Sequence, residues 1–233
     1  MRIVWRSRLP ALLCFAFLLV PAVGHAAAKV HIISFGKWTS AEWRPDNTAD
    51  GKPFTLKVRA LIVDGRVKEY VLGQPHEVTD RLFVVRRAFR VNDSLPEDSG
   101  SPRWQWQRGG WLLVDRTTGR VSALNLPEFD AYYSASSWYR DYVAYCGVSD
   151  DGKKTYAIVA QLNRRKPVLK KPLSDDGVSD DAGSDSACQA PAWQRSPVRV
   201  SFQPPGGVKQ TFAIRGHVVD VVNDAEEEEE GTR

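Results

Sequence analysis

Apolar and polar residues alternate along most of this chain, and such alternation is the pattern of β-strands that bury one face. Residues 54–63, which read FTLKVRALIV, show it most clearly. The side chains expected on their buried face are Phe54, Leu56, Val58, Ala60 and Ile62. Helical periodicity is nearly absent, so the chain is predicted to be all-β.

Glycine-containing turns separate several of these strands and predict four hairpins. The turns are Asp64-Gly65, Thr117-Thr118-Gly119, Asp151-Gly152 and the PPGG segment at 204–207. Short strands joined by such turns are typical of sandwiches, barrels and propellers. The predicted fold is a single antiparallel domain, either a β-sandwich or a small propeller-like assembly of hairpins.

Residues 111–173 resemble the blade repeats of secreted bacterial β-propellers. One blade is matched by WLLVDRTTGRVSALNL and the next by YVAYCGVSDDGKKTYAIVAQLNRRKPVLKKPL, with SDDGKK as the turn between two inner strands. The resemblance implies a propeller-like packing of these hairpins. A propeller usually needs four or more blades of about 40–50 residues, and this chain has room for four at most. A two-sheet sandwich with blade-like hairpins is therefore the preferred alternative.

Residues 1–28 carry the three-part pattern of a secretory signal peptide. Three arginines precede the apolar run LPALLCFAFLLVPAVG, and the small residues of HAAA follow it. The apolar run is short for a membrane span, which needs about 20 apolar residues; an uncleaved anchor is the alternative. We expect an exported protein, periplasmic or extracellular, with no stable membrane insertion after cleavage.

The rest of the chain is predicted to be one all-β domain, residues 29–222, with two segments that do not fold. Residues 174–187 are mostly Ser, Gly and Asp with little to bury, and are predicted to form a mobile loop. Residues 223–233 form an acidic tail, which is predicted to be disordered because its like charges repel.

Bulk charge gives no support for nucleic-acid binding. The chain has 32 Lys and Arg against 28 Asp and Glu. Without the three arginines of residues 1–28 the balance is 29 to 28, so no nucleic-acid partner is expected. Basic residues still cluster at 86–90 and at 164–171. We interpret them as protection of edge strands against aggregation, with an anionic envelope partner as the functional alternative.

Two cysteines follow the signal peptide, Cys146 and Cys188. In an exported protein such a pair predicts a disulfide. A reactive thiol at Cys146 is the alternative, but no His lies close in sequence to activate it. A structural crosslink between the two cysteines is preferred.

No catalytic or metal-binding motif stands out. The segment EDSGSP at 97–102 departs from the GDSGGP of trypsin-like proteases, and no G-x-S-x-G elbow is found. His31, His76 and His217 lie far apart and lack the spacing of metal ligands. We therefore predict no catalytic residue, no metal and no cofactor.

Carboxylates supply the alternative of a secreted hydrolase. The candidates are Asp115, Glu128, Asp130 and Asp141. A glycoside hydrolase needs two carboxyl groups across a cleft, about 5–9 Å apart. This alternative would require an open pocket that joins two of the four.

Aromatic residues are the most distinctive feature of the sequence. Trp104 and Trp106 share one face of the RWQWQ segment and are predicted to be core. A second cluster, expected to bind a ligand, consists of Tyr132, Tyr133, Trp138 and Tyr139. Small polar residues before Trp138 would let its ring stand clear of the surface, and loops on rigid scaffolds often carry function.

These patterns together predict a non-catalytic exported binding or structural module of the bacterial cell envelope. Its expected partner is a protein or a glycan of the envelope. The alternatives are the secreted hydrolase that uses loop carboxylates and a propeller-like docking component of an envelope assembly. The first requires a polar pocket, whereas a binding module requires an exposed aromatic patch.

Overall fold

The computed structural model describes residues 30–43, 54–95, 97, 100–174, 188–204, 207–215 and 218–222. These residues form strands and turns and contain no helix, which confirms the all-β prediction. The strands are β1 (Ile33–Phe35), β2 (Thr39–Trp43), β3 (Phe54–Val63), β4 (Arg66–Glu77), β5 (Leu82–Asn92), β6 (Trp104–Asp115), β7 (Arg120–Leu124), β8 (Ser136–Tyr139), β9 (Tyr142–Val148), β10 (Thr155–Gln161), β11 (Leu169–Ser174), β12 (Ala192–Arg195), β13 (Val198–Phe202), β14 (Gln210–Arg215) and β15 (Val218–Val222).

Several predictions fall outside the described residues. They concern the signal peptide, the mobile loop beyond Ser174, the acidic tail and His217. Among the residues that are described, none forms a helix with the length and apolarity needed to cross a bilayer.

The strands form three antiparallel sheets. Sheet A has the order β1-β3-β4-β5-β6-β7, with β2 also paired to β3; sheet B has the order β11-β10-β9-β8; and sheet C has the order β12-β13-β14-β15. Consecutive strands are neighbours through most of this order, as expected for hairpins joined by short turns. Sheet A begins at Ile33, and the described residues from His31 onward form one compact unit.

The predicted turns join the expected strands. Asp64 and Gly65 link β3 to β4 with φ angles of 51° and 76°, and two successive positive φ angles belong to the type I′ hairpin turn. Gly119 and Gly152 also have positive φ angles, at the turns that connect β6 to β7 and β9 to β10. The fourth hairpin joins β13 to β14.

The predicted buried face of β3 is wrong in its second half. Val58 is buried as expected, but beyond it the buried side chains are Leu61 and Val63, and Phe54 is exposed. A β-bulge shifts the pairing of β3 with β4 between Leu61 and Ile62. Val58 and Leu61 are three residues apart and therefore lie on opposite faces, so β3 buries one face at Val58 and the other face at Leu61 and Val63. Leu61 and its neighbours build the core of sheet A with Val71, Phe83, Val85, Leu112 and Val114.

The central strands of sheet B, β9 and β10, are buried on both faces. Ala144 and Cys146 of β9 point into a core that includes Val200 and Phe202 of sheet C. The alternate residues of β9, Val143 and Tyr145, belong to a second cluster, in which Leu126, Phe129 and Trp138 also pack. Burial on both faces explains why β9 and β10 read as nearly continuous apolar runs.

Sheets B and C each have four antiparallel strands, the number found in a propeller blade. Residues 111–173, which resemble blade repeats, span the end of sheet A and the whole of sheet B. The resemblance itself stays a prediction.

Candidate functional site

The predicted ligand-binding tyrosines lie at the junction between sheets A and B. The Tyr132 ring makes edge-on contacts with Trp43, at 5.6 Å between centroids, and with Tyr133, at 4.7 Å. Trp43 is only 2% exposed, so Tyr132 helps to cover a buried ring. Tyr133 packs against the core between sheets B and C. Both tyrosines are half-buried.

Trp138 and Tyr139 are also half-buried, and the expectation that Trp138 stands clear of the surface is wrong. The Trp138 ring stacks on His76 at 5.7 Å and meets Trp111 edge-on at 5.2 Å. Tyr139 stacks on Trp193 at 5.5 Å. Ser136 and Ser137 precede Trp138 in β8, and Ser136 Oγ accepts from the indole N–H of Trp111 at 2.9 Å. Ligand binding by these four residues stays a prediction.

Arg86 holds this junction together from the sheet A side. Its Nε donates to Gly109 O at 2.6 Å, and its Nη2 donates to Ala131 O at 2.6 Å. Burial, with the nearby charge of Arg108, lowers the pKa of Arg86 to about 10. The interpretation of this arginine as edge protection is wrong, because β5 lies between β4 and β6 and is not an edge strand.

Arg108 and Asp130 hold residues 130–133, the loop that Arg86 also contacts, in place. The Arg108 guanidinium lies 3.8 Å from the centroid of the Trp43 ring, and its Nη2 donates to Tyr132 O at 3.3 Å. Asp130 Oδ1 accepts from the backbone N–H groups of Tyr132, at 2.6 Å, and Tyr133, at 3.0 Å. These bonds give the segment the role of a structural connector between sheets.

The predicted disulfide is confirmed. Cys146 and Cys188 are bonded, with 6.2 Å between their Cα atoms. Both cysteines are buried in the core between sheets B and C. The disulfide therefore connects the segment just before sheet C to β9, a central strand of sheet B.

Two of the four candidate carboxylates line one cavity. Glu128 and Asp130 border an open groove of about 640 Å³, together with Asp150 and Asp151. Asp115 lies elsewhere: Arg81 donates to its two oxygens at 2.9 and 2.5 Å.

The other carboxylates have structural partners. Hydrogen bonding to Arg81 lowers the pKa of Asp115. Asp141 Oδ2 accepts from Gln161 Nε2 at 2.8 Å. Of the four candidate carboxylates, only Glu128 and Asp130 line a common pocket, as a hydrolase would require.

Glu128 of the groove forms an ion pair with Lys170. Lys170 donates to Glu128 Oε1, and this bond raises the pKa of the Lys170 ammonium. A glycosidase requires one carboxyl to donate a proton, whereas Glu128 here accepts from an ammonium and Asp130 accepts from backbone N–H groups. Within the described residues, no group of three or more His, Cys, Asp or Glu has an arrangement that could hold a metal ion.

A different aromatic surface is exposed on sheet A, and we call it the aromatic–arginine strip: Tyr70, Arg90, Trp104 and Trp106. Trp104 is 57% exposed and Tyr70 is 40% exposed. The Arg90 guanidinium lies 5.7 Å from the Trp104 ring and 5.4 Å from the Trp106 ring. Trp106 meets Tyr70 edge-on at 5.1 Å.

The strand register explains how the strip forms. Arg90 is the direct partner of Trp106 across β5 and β6. Ala88, the partner of Tyr70 on β4, is small enough for the Tyr70 and Trp106 rings to meet above it. Ala88 is buried as a result.

The prediction that Trp104 and Trp106 belong to the core is wrong for Trp104. RWQWQ alternates as predicted, and both of its glutamines form side-chain hydrogen bonds within the fold. Gln107 Oε1 accepts from the indole N–H of buried Trp43 at 3.1 Å, and Gln105 donates to Asp93 at 2.7 Å.

Comparison with known proteins adds no assignment. No protein-family model, no curated protein and no solved structure matches this chain.

Proposed function

We propose that this chain is a non-catalytic, exported binding module that docks a protein of the cell envelope through the aromatic–arginine strip. The observation that supports the proposal most directly is the exposure of Trp104 and Tyr70 beside Arg90 on paired strands. The signal-peptide pattern of residues 1–28 and the disulfide support export, because disulfides persist in oxidising compartments.

The composition of the strip favours a protein partner over other ligands. Trp, Tyr and Arg are the residues most enriched among interface hot spots. Exposed aromatic clusters on a folded protein commonly mark interaction sites. Among the described residues Arg90 contacts rings and pairs with no carboxylate. Its charge is therefore available to an acidic group of the partner.

The rigidity of the strip also suits docking. Its residues lie on β4, β5 and β6, which are consecutive strands of sheet A. Ring contacts already hold Tyr70 and Trp106 in place. Side chains that are ordered before binding lose less conformational entropy on binding.

The test is a quantitative pull-down from envelope extract of the source organism, with the mature protein as bait. Trp104→Ala and Arg90→Glu should each reduce the yield of the specific partner about tenfold or more, the loss expected for a hot spot. Phe54→Ala is the matched control, because Phe54 is also an exposed aromatic residue of sheet A but lies outside the strip. Equal recovery of every protein by the wild type and by both strip variants would refute the proposal.

A second candidate function rests on the acidic groove. Glu128 and Asp130 line one open cavity, which favours the hydrolase alternative. If the groove is catalytic, the mature protein releases reducing ends from an envelope glycan, and Glu128→Gln abolishes that release. No release by the wild type, or equal release by Glu128→Gln, would remove this alternative.

The docking component of an envelope assembly is a special case of the first proposal. Its support is the blade resemblance of residues 111–173 and the four-stranded form of sheets B and C. In that case the recovered partner belongs to a multiprotein assembly.

A further inference from the structure

A separate cleft opens on the other face of sheet A. It has a volume of about 530 Å³ and is lined by Trp38, Ser40, Lys57, Gly73 and Gln74. Small-ligand pockets typically range from about 300 to 1,000 Å³. Lys57 and Ala60 are three residues apart on β3 and so face opposite sides, and Ala60 pairs with Tyr70 of the strip. The cleft is therefore distinct from the aromatic–arginine strip.

The ring of Trp38 is held in place on one side. The Arg59 guanidinium lies 4.2 Å from the Trp38 ring and 4.0 Å from the Phe35 ring, so it is sandwiched between two aromatic side chains. Burial lowers the pKa of Arg59. Trp38 nevertheless remains 40% exposed and borders the cavity. An indole that is ordered in advance and still exposed offers a flat apolar platform to a ligand.

Arg59 also orients the amide of Gln74. Its Nη2 donates to Gln74 Oε1 at 3.1 Å, which leaves the amide N–H₂ as the end that can donate to a ligand. Lys57 contributes an ammonium and Ser40 a hydroxyl to the same cavity. Among the described residues, no carboxylate lines the cleft. The cleft therefore presents mainly donors and positive charge around one aromatic ring.

We propose that this cleft binds a carboxylated sugar residue. The apolar C–H face of a pyranose ring would stack on Trp38, and its hydroxyl oxygens would accept from Gln74 and Ser40. Its carboxylate would pair with Lys57. A neutral sugar would leave the Lys57 ammonium unpaired, so the cleft discriminates in favour of the acid.

The experiment compares trigalacturonate with galactotriose, which has a hydroxymethyl group in place of each carboxylate. Binding to the mature protein is measured by calorimetry, and the indole N–H resonances are followed by NMR. The wild type should bind trigalacturonate saturably and at least about tenfold more tightly than galactotriose. That preference should weaken as salt is added, since exposed charges are screened.

Four variants test the location of the site. Lys57→Gln should remove the preference for the acid, and Trp38→Ala should abolish binding of both sugars. Val67→Ala, at an exposed position outside both the cleft and the strip, should leave binding unchanged. Trp38→Phe keeps a ring for stacking and remains informative if Trp38→Ala fails to fold; it should weaken binding and retain the acid preference.

Several results would overturn the inference. They are the absence of saturable trigalacturonate binding up to about 10 mM, equal affinity for the two sugars, and binding that is insensitive to Lys57→Gln. Because the strip is untouched by the cleft variants, each of these results leaves the proposed protein docking standing.

Discussion

Trp138 and Trp104 form a matched pair of tryptophans for testing which aromatic side chains are structural. Trp138 is half-buried between His76 and Trp111 and packs against the cluster around Tyr145. Trp104 is 57% exposed and contacts Arg90. The same substitution, Trp→Ala, therefore removes an inter-sheet contact at one position and a surface ring at the other.

The expected magnitudes follow from burial. Truncation of a fully buried tryptophan to alanine costs about 3–5 kcal/mol. Trp138 is only half-buried, which lowers that cost, but Trp138→Ala also removes two ring contacts worth about 0.5–1.5 kcal/mol each. We expect Trp138→Ala to lower the free energy of unfolding by about 2–4 kcal/mol. Trp104→Ala should lower it by less than about 1 kcal/mol, as for most surface substitutions.

A third variant separates ring packing from hydrogen bonding. The indole N–H of Trp138 is buried and has no hydrogen-bond partner among the described residues. Trp138→Phe keeps a ring at the junction and removes this unpaired donor, which is costly to bury. Its loss of stability should therefore be clearly smaller than that of Trp138→Ala, at about 1 kcal/mol.

The assay is urea unfolding at equilibrium with the disulfide intact, followed by circular dichroism. The dependence of the free energy on urea concentration should be equal in all variants, so that midpoints can be compared directly. If Trp138→Ala loses no more stability than Trp104→Ala, the junction is not a structural contact. The tryptophan would then be free to act as a binding residue.

Two further predictions concern the disulfide and acid stability. Without reductant, Cys146 and Cys188 should resist alkylation in the folded protein, and Cys146→Ser should lower the free energy of unfolding by about 2–4 kcal/mol; quantitative alkylation of both thiols would contradict the crosslink. Because Arg81 lowers the pKa of Asp115 in the folded state, this carboxylate stabilises the fold above its unfolded pKa, and the contribution is lost as pH falls through the folded pKa. Asp115→Asn should therefore lose less stability than the wild type between about pH 5 and pH 2, and parallel losses in thermal melts would count against the ion pair.

The local sequence pattern was sufficient to predict the strands and their turns. The hairpin at Asp64-Gly65 and the strands β9 and β10 follow from short-range rules, since alternation and turn preference act within a few residues. The disulfide also followed from the sequence, because the two cysteines outside the predicted signal peptide allow one intramolecular pairing.

The arrangement of the sheets could not be predicted from the local sequence pattern. The sequence of β3 alternates regularly, but the strand buries one face at Val58 and the opposite face at Leu61 and Val63. Arg86 belongs to a basic cluster in the sequence but is half-buried in the structure, because β5 is a central strand and the Arg86 guanidinium reaches carbonyl groups of β6 and of the loop before β8. Both outcomes depend on pairing with distant strands.

What the sequence determined by itself is an all-β antiparallel chain with a disulfide and an aromatic-rich middle. Only the tertiary structure decided which aromatic side chains are exposed: Trp138 packs between sheets, whereas Trp104 and Trp38 remain at the surface. The physical reason is that exposure of a ring depends on what covers it. Alternation along a strand specifies two faces, and the strands and loops that pack later in the chain select the face that becomes interior.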